Sequence, residues 1–424
     1  MSRYITDDLN EDEIDRRGFL KCMAWVGTAS LWALKGGVPT SFALSQLNAL
    51  DEATKQSIFF AQISDSHIGF SKEANKDVTA TLREAVAKLN TLPTRPRLVL
   101  HTGDISQLSR PDEFDTADQV LKELRTERIC FVPGEHDVLN DNGVSYLARY
   151  GKALGAKGGG WYSFDHSGVH FVALVNVLNL KAGGLGSLGS EQIDWLRRDL
   201  SGLAASTPIV VFAHIPLWTV YPEWGWGTDD SEQALSLLRR FGSVTVLNGH
   251  IHQVMQKVEG SISFHTAMST AFPQPAPGSA PSPGPMKVEP ERLRSVLGIT
   301  NVTYVPGRHS LAILDSTLSG EMPPMAMGND SPRQSERRAL DVAPNQIAID
   351  NFAFSPTPRT VVAGTEVTWI NRDDVPHIIV DTHGAFSSSV LDTNQRYSRR
   401  FAAPGTFDYF CSIHPKMTGK VVVT

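Results

Sequence analysis

From Ser57 onward the chain alternates two patterns of apolar positions. Runs of β-branched and aromatic residues, "SIFFAQIS", "RLVLHTG", "RICFVPG", "GVHFVALV", "PIVVFAH" and "SVTVLNG", end in glycine or polar turns and predict buried strands. Between several of them the apolar positions take helical spacing, which predicts helices over 78–89, 114–124, 191–200 and 232–241. Such alternation predicts an α/β fold. From Asn345 the pattern changes to strands alone, "QIAIDNFAFSP", "RTVVAGTEVTWINRD", "HIIVDT", "YSRRFAAPGTFDYFC" and "GKVVVT", with turn signals between them; this predicts a small all-β sandwich. The Pro/Gly/Ser stretch 272–285 predicts a loop excursion, and "HSLAILDSTL" beyond it a further strand of the first domain. The boundary falls in the polar stretch 321–344, giving a leader over 1–45, a first domain over 57–320, a linker over 321–344 and a second domain over 345–424. Met322, Met325 and Met327 of the linker are either plain linker residues or soft thioether ligands for Cu(I).

Composition is ordinary for a globular chain, at 41% hydrophobic and 20% charged. A formal charge of −6 with no long basic run argues against a nucleic-acid polymer as partner, so a small anionic substrate would find its positive charge in bound metal ions. The N-terminal "DRRGFLK", the apolar run after it and the small residues of "SFALS" resemble a twin-arginine signal, which implies export to the periplasm in the folded state. The apolar run is shorter than the roughly 20 residues of a stable membrane span and is broken by Gly and Thr. Cleavage near Ala43 or retention of the leader are both open.

Five polar clusters follow the apolar runs of the first domain: "DSH" with Asp65 and His67, "GD" with Asp104, "GEHD" with Glu135, His136 and Asp137, "AH" with His214, and "GHIH" with His250 and His252. Residues two apart at a strand end point the same way, so two donors from one turn enter one space. Imidazoles and carboxylates without a thiolate suit Zn, Mn or Fe. In this order the clusters resemble the signature of the calcineurin-like metallophosphoesterases, over Ser57 to about Leu318. The resemblance implies a sandwich of mixed sheets flanked by helices and two divalent or trivalent cations. Asp65, His67, Asp104 and His252 would hold one, and Asp104 as a bridge, Glu135, His214 and His250 the other. It implies hydrolysis of a phosphate mono- or diester by a metal-bridging hydroxide, with His136 serving the leaving group or the phosphoryl charge and Asp137 orienting His136. The family usually carries Asn where this chain has Glu135; the added negative charge strengthens cation binding and weakens Lewis acidity. Gln107 stands where purple acid phosphatases carry an iron-bound tyrosine. Trp218, Tyr221, Trp224 and Trp226 either stack on a base or sugar or cover the sheet end.

In the second domain "CSIHPKM" places Cys411, His414 and Met417 on one loop after a strand, and His377 stands before a β-branched run upstream. Two imidazoles, a thiolate and a distant thioether are the ligand set of type 1 copper. These residues resemble the cupredoxins, with a loop of amicyanin type, which implies one copper ion, one-electron transfer and a redox partner protein. A Cys130–Cys411 disulfide is the competing pairing, and Cys130 also reads as a buried small hydrophobe. "RYSRRF" is a docking surface or a solvated strand face.

The expectation is an exported phosphoesterase for a small phosphate ester, a nucleotide among the candidates, with an appended electron-transfer domain. The alternative is a periplasmic copper protein whose first domain is a non-catalytic platform. Control of an iron in the first site by the copper domain requires a proximity on which the sequence is silent.

Overall fold

The computed structural model describes residues 30–35, 38–43, 57–178, 180–305, 311–320 and 342–424. The paired arginines of the leader, the three linker methionines and Cys22 lie outside the described residues. Strands β1 (Ser30–Lys35) and β2 (Val38–Ala43) pair antiparallel, and β1 joins the edge of the first sheet.

The first domain is built on β3 (Ile58–Ile63), β4 (Leu98–His101), β5 (Arg128–Phe131), β6 (Tyr162–His166), β7 (Val169–Ala173), β8 (Ile209–Phe212), β9 (Val244–Asn248), β10 (Gln256–Glu259), β11 (Ile262–Thr266), β12 (Gly298–Tyr304) and β13 (Ala312–Thr317). These make a seven-stranded sheet in the order β2-β1-β13-β12-β3-β4-β5 and a six-stranded sheet in the order β10-β11-β9-β8-β7-β6. Both are mixed. The β3-β4-β5 and β7-β8-β9 runs are parallel, while β12 and β13 are antiparallel and bring the expected late strand back into the first domain.

The sheets face each other across one core. Phe60 of β3 meets Phe171 of β7 edge to face at 5.3 Å between ring centroids, and buried Leu100, Phe212 and Leu247 fill the same space. Helices α1 (Val78–Asn90) and α2 (Pro111–Leu121) belong to the same core, α1 through Val78, Leu82, Ala85, Val86 and Leu89 at the spacing of one helical face. On the outer face of the second sheet, α3 (Ser190–Leu200) and α4 (Ser231–Leu238) bury Leu196 and Leu235 against Val211 and Val246. Each predicted helix is present, displaced at its ends by three residues or fewer.

The second domain is a sandwich of two four-stranded sheets, made from β14 (Gln346–Asp350), β15 (Ala353–Ser355), β16 (Arg359–Val361), β17 (Glu366–Asn371), β18 (Ile379–Asp381), β19 (Arg396–Arg400), β20 (Gly405–Cys411) and β21 (Thr418–Val423). The sheet orders are β15-β14-β17-β19 and β16-β21-β20-β18. Trp369 is fully buried between them and touches Tyr397, Phe401 and Tyr409. The arginine-rich strand β19 alternates exposed and half-buried positions, with Arg399 laid over Phe386.

Candidate metal centres

Strands β3, β4 and β5 of one sheet and β8 and β9 of the other end on the same edge of the first domain, and the turns after them carry the donors. The turns are tied within each sheet, Asp65 N donating to Gly103 O at 3.0 Å and Gly249 N to His214 O at 3.0 Å, and across the sheets by His250 N donating to Asp65 Oδ1 at 3.0 Å. Asp65, His67, Asp104, His250 and His252 all have φ between 41° and 70°. Left-handed backbone is costly for residues with a β-carbon, so five such residues at one edge mark a site whose surroundings force that geometry. Gly134 is required by close approach, since a β-carbon there would lie 2.5 Å from Asp104 N.

The side chains converge in overlapping groups. Asp65, His67 and His252 form one; Glu135, His214 and His250 form a second; Asp104 joins groups with His67 and with His214, so it spans the two. His252 Nε2 lies 3.3 Å from Asp65 Oδ1, His214 Nε2 lies 3.3 Å from Asp104 Oδ2 and 3.0 Å from Glu135 Oε2, and His250 Nδ1 lies 3.0 Å from Glu135 Oε1. All seven are buried or nearly so.

Each imidazole is aimed by a bond at its far nitrogen. His214 Nδ1 donates to Thr102 O at 2.7 Å, His252 Nδ1 to Phe272 O at 2.6 Å, and His67 Nδ1 to Gln107 Oε1 at 2.9 Å. These bonds leave the three Nε2 lone pairs facing the cluster, as ligand imidazoles require. Asp65 Oδ2, Glu135 Oε2 and His214 Nε2 are buried and take no hydrogen bond. Buried polar atoms without partners are expensive, and bound cations would satisfy these three together. The donor set therefore fits two cations.

Electrostatics point the same way. Burial opposes ionisation of Glu135, yet the close imidazoles of His250 and His214 hold it well below the usual carboxylate range. Asp65 is likewise held low against burial by His252, His214 and His67. Burial pushes His67 down to about 3, assisted by His136 and His252. For His214 burial is outweighed by Asp104 and Glu135, which raise it well above the ordinary imidazole range. Carboxylates that stay charged and crowd imidazoles together are sites where cations displace protons.

His136 donates from Nδ1 to Gln107 O at 2.8 Å and stands edge to face with His67 at 4.7 Å. Its other nitrogen is free for the cleft. Asp137, expected to orient His136, does something else: its carboxylate accepts from Ile105 N, Ser106 N, Ser106 Oγ and Gly134 N at 2.8 to 3.1 Å. It ties the turn after β4 to the turn after β5. Burial and the charge of Asp104 raise it to about 6 against those amide bonds.

In the second domain Cys411 ends β20, His377 precedes β18, and His414 lies on the loop between β20 and β21. Cys411 Sγ is 3.6 Å from His377 Nδ1 and 3.7 Å from His414 Nδ1, and the two nitrogens are 3.3 Å apart. His377 Nε2 donates to Asp373 Oδ2 at 2.8 Å, which fixes Nδ1 as the donor facing the thiol. Burial opposes thiolate formation at Cys411, but hydrogen bonding and charge from His377 lower its pKa below the ordinary thiol value. Buried Met417 closes the loop, its N donating to His414 O at 2.9 Å and its O accepting from Cys411 N at 3.0 Å. One sulfur and two nitrogens in a triangle suit copper. Both Cys130 and Cys411 are free thiols, which removes the disulfide; burial raises Cys130 to about 11, as expected of an inert core thiol.

The calcineurin-like phosphoesterase model matches residues 60–254, and the model for copper binding proteins of the plastocyanin/azurin family matches residues 342–424. Glycerophosphodiester phosphodiesterase GpdQ of Enterobacter lignolyticus is 30% identical over 209 residues, covering 46% of this chain and 72% of that protein. Amicyanin-alpha of Methylorubrum extorquens is 39% identical over 83 residues, covering 18% of this chain and 70% of that protein. Amicyanin of Paracoccus denitrificans is 36% identical over 99 residues, covering 22% and 76%. The chain belongs to both families, a calcineurin-like phosphoesterase joined to a cupredoxin.

The cupredoxin domain stands over the phosphoesterase centre. Lys416 Nζ donates to Gly183 O at 2.7 Å, Gly183 N donates to Pro415 O at 2.6 Å, and Lys72 pairs with Asp392 at 3.6 Å. Between the domains runs a narrow cleft, with Asp104, Glu135, His136 and His250 on one side and Phe352 and His414 on the other. Trp224 and Trp226 line it, whereas Trp218 is buried in the outer core against Phe264, so the aromatic cluster is divided between cleft and core. Sequence reasoning missed Thr102, Phe272 and Asp373 as orienting partners. Asp373 left a trace, a carboxylate four residues before His377; the two carbonyls left none, since any residue supplies one.

Proposed function

We propose that the chain is an exported phosphoesterase that hydrolyses a mono- or diester of phosphate with a small organic leaving group, and that its cupredoxin domain carries one electron on copper. The observation that supports this reading is the convergence of seven donors from five strand ends into two groups joined by Asp104, with His136 at the cleft beside them. When bound, two cations supply positive charge for the phosphate oxygens and make water acidic enough to attack.

The chain's own groups do the rest. Asp104, Glu135, His250 and His252 set one wall of the cleft, and the Nδ1 bond of His136 to Gln107 O holds its ring while Nε2 takes a proton and returns it to the leaving alkoxide. The aromatic walls at Trp224, Phe272 and Phe352 narrow the cleft, which supports a small ester over a polymer. Homology to a glycerophosphodiester phosphodiesterase supports a diester of a small alcohol as the first substrate to test. The paired arginines Arg16 and Arg17 support export by the twin-arginine route to the periplasm.

The test is hydrolysis of mono- and bis-(p-nitrophenyl) phosphate by the full-length exported protein, with elemental analysis on the same sample. Metal-dependent release of nitrophenol and two first-domain cations per chain are expected. A protein that carries both cations and releases none from either ester defeats the proposal in favour of a non-catalytic platform.

A further inference from the structure

The ligands of the copper site are unequally covered. Cys411 and His377 are fully buried and Met417 is nearly so, while His414 is the one partly exposed donor. His414 lines the cleft that Asp104, Glu135 and His250 line from the other side, and its ring centroid is 6.4 Å from that of His136. Phe352 packs on His414 at 4.7 Å between ring centroids. The edge through which an electron would leave the copper is thus turned toward the cation pair.

We infer that the two centres form one electron-exchange unit, with His414 as the port and the facing imidazoles of His136 and His250 as the receiving side, so that the redox partner of the cupredoxin domain is the first domain of the same chain. The inference rests on the metal assignments above but not on ester hydrolysis. The donor set of the pair, four imidazoles and three carboxylates, suits iron or manganese, which change charge by one electron. The exchange balances without any bond or proton moving: Cu(I) gives one electron to a trivalent iron, leaving Cu(II) and divalent iron.

The experiment uses the full-length protein loaded with copper and with either iron or zinc in the first domain. Cu(II) is reduced by a flash-generated flavin radical under anaerobic conditions, and the intense thiolate-to-copper absorption is followed. With ferric iron the bleached band should return in a first-order phase whose rate does not depend on protein concentration; with redox-silent zinc it should stay bleached. Lys416→Glu, which removes the docking bond to Gly183 but no ligand, should keep the resting band and slow the return severalfold. No return with iron, or a return whose rate scales with protein concentration, overturns the inference. Because the zinc form is assayed in parallel for ester hydrolysis, loss of one property is read separately from loss of the other.

Discussion

His377 and Asp373 are joined by a 2.8 Å hydrogen bond from Nε2 to Oδ2, and the same carboxylate accepts from the backbone amides of Asn351 and Phe352 at 2.6 and 3.0 Å. Burial would suppress the charge on His377, but Asp373 and Cys411 raise its pKa to about 9. Asp373→Ala should free the ring to rotate and loosen the Phe352 turn at once. A loss of about 10- to 100-fold in copper affinity is expected, measured by competition with a chelator while the fold persists by circular dichroism.

Glu135 touches both His214 and His250 at 3.0 Å. Replacement by Asn removes one negative charge from the second cation's donor group. Cation affinity should fall and turnover per bound cation should rise, as a less neutralised cation is the stronger Lewis acid. Metal titrations run beside chromogenic ester assays check both, and an inert, fully loaded Glu135→Asn protein would contradict the catalytic reading.

His136→Ala should leave the cation content of the first domain unchanged and reduce kcat by about 100-fold or more, the usual cost of losing a proton donor at the leaving group. Leaving groups that need no proton should be affected least. A series of phenols of falling pKa, read as log kcat against leaving-group pKa, tests this directly.

Gly134→Ala would place a methyl group 2.5 Å from Asp104 N and still closer to its carboxylate. Either the bridge or the turn must move. The expected result is a protein that folds, shown by an intact copper absorption, and that has lost at least one cation by elemental analysis.

His170 lies far from either centre and gives a pH signature of its own. Burial disfavours its charged form, but bonds to Asp199 at 2.9 Å and Asp165 at 2.8 Å raise its pKa above the ordinary value. A raised folded value contributes stability that is complete below the unfolded pKa of about 6.5 and is lost as pH rises through the folded value. His170→Gln should therefore lower the melting temperature most in mildly acidic buffer and least in alkaline buffer, as thermal unfolding across pH will report.

The candidate ligands were legible because each sits in a short window after an apolar run, where local turn chemistry and strand patterning speak together. Asp65 with His67, and His250 with His252, needed only the two-residue repeat of a strand end. Asp137 was misread since its neighbour in sequence, His136, is not its partner in space; the amides it binds come from the turns after β4 and β5. Trp218 and Trp226 share one sequence cluster but part ways, one into the outer core and one to the cleft. Least legible was the docking of the two domains, which depends on single contacts such as Lys416 to Gly183 that no periodicity announces.

The inward turn of the copper edge changes what the small sandwich is for. The His414 edge, where a protein diffusing up from solution would dock, faces the first domain. On this reading it is a resident of the larger fold and not a courier, and a small molecule entering the gap lies beside the ring of His414.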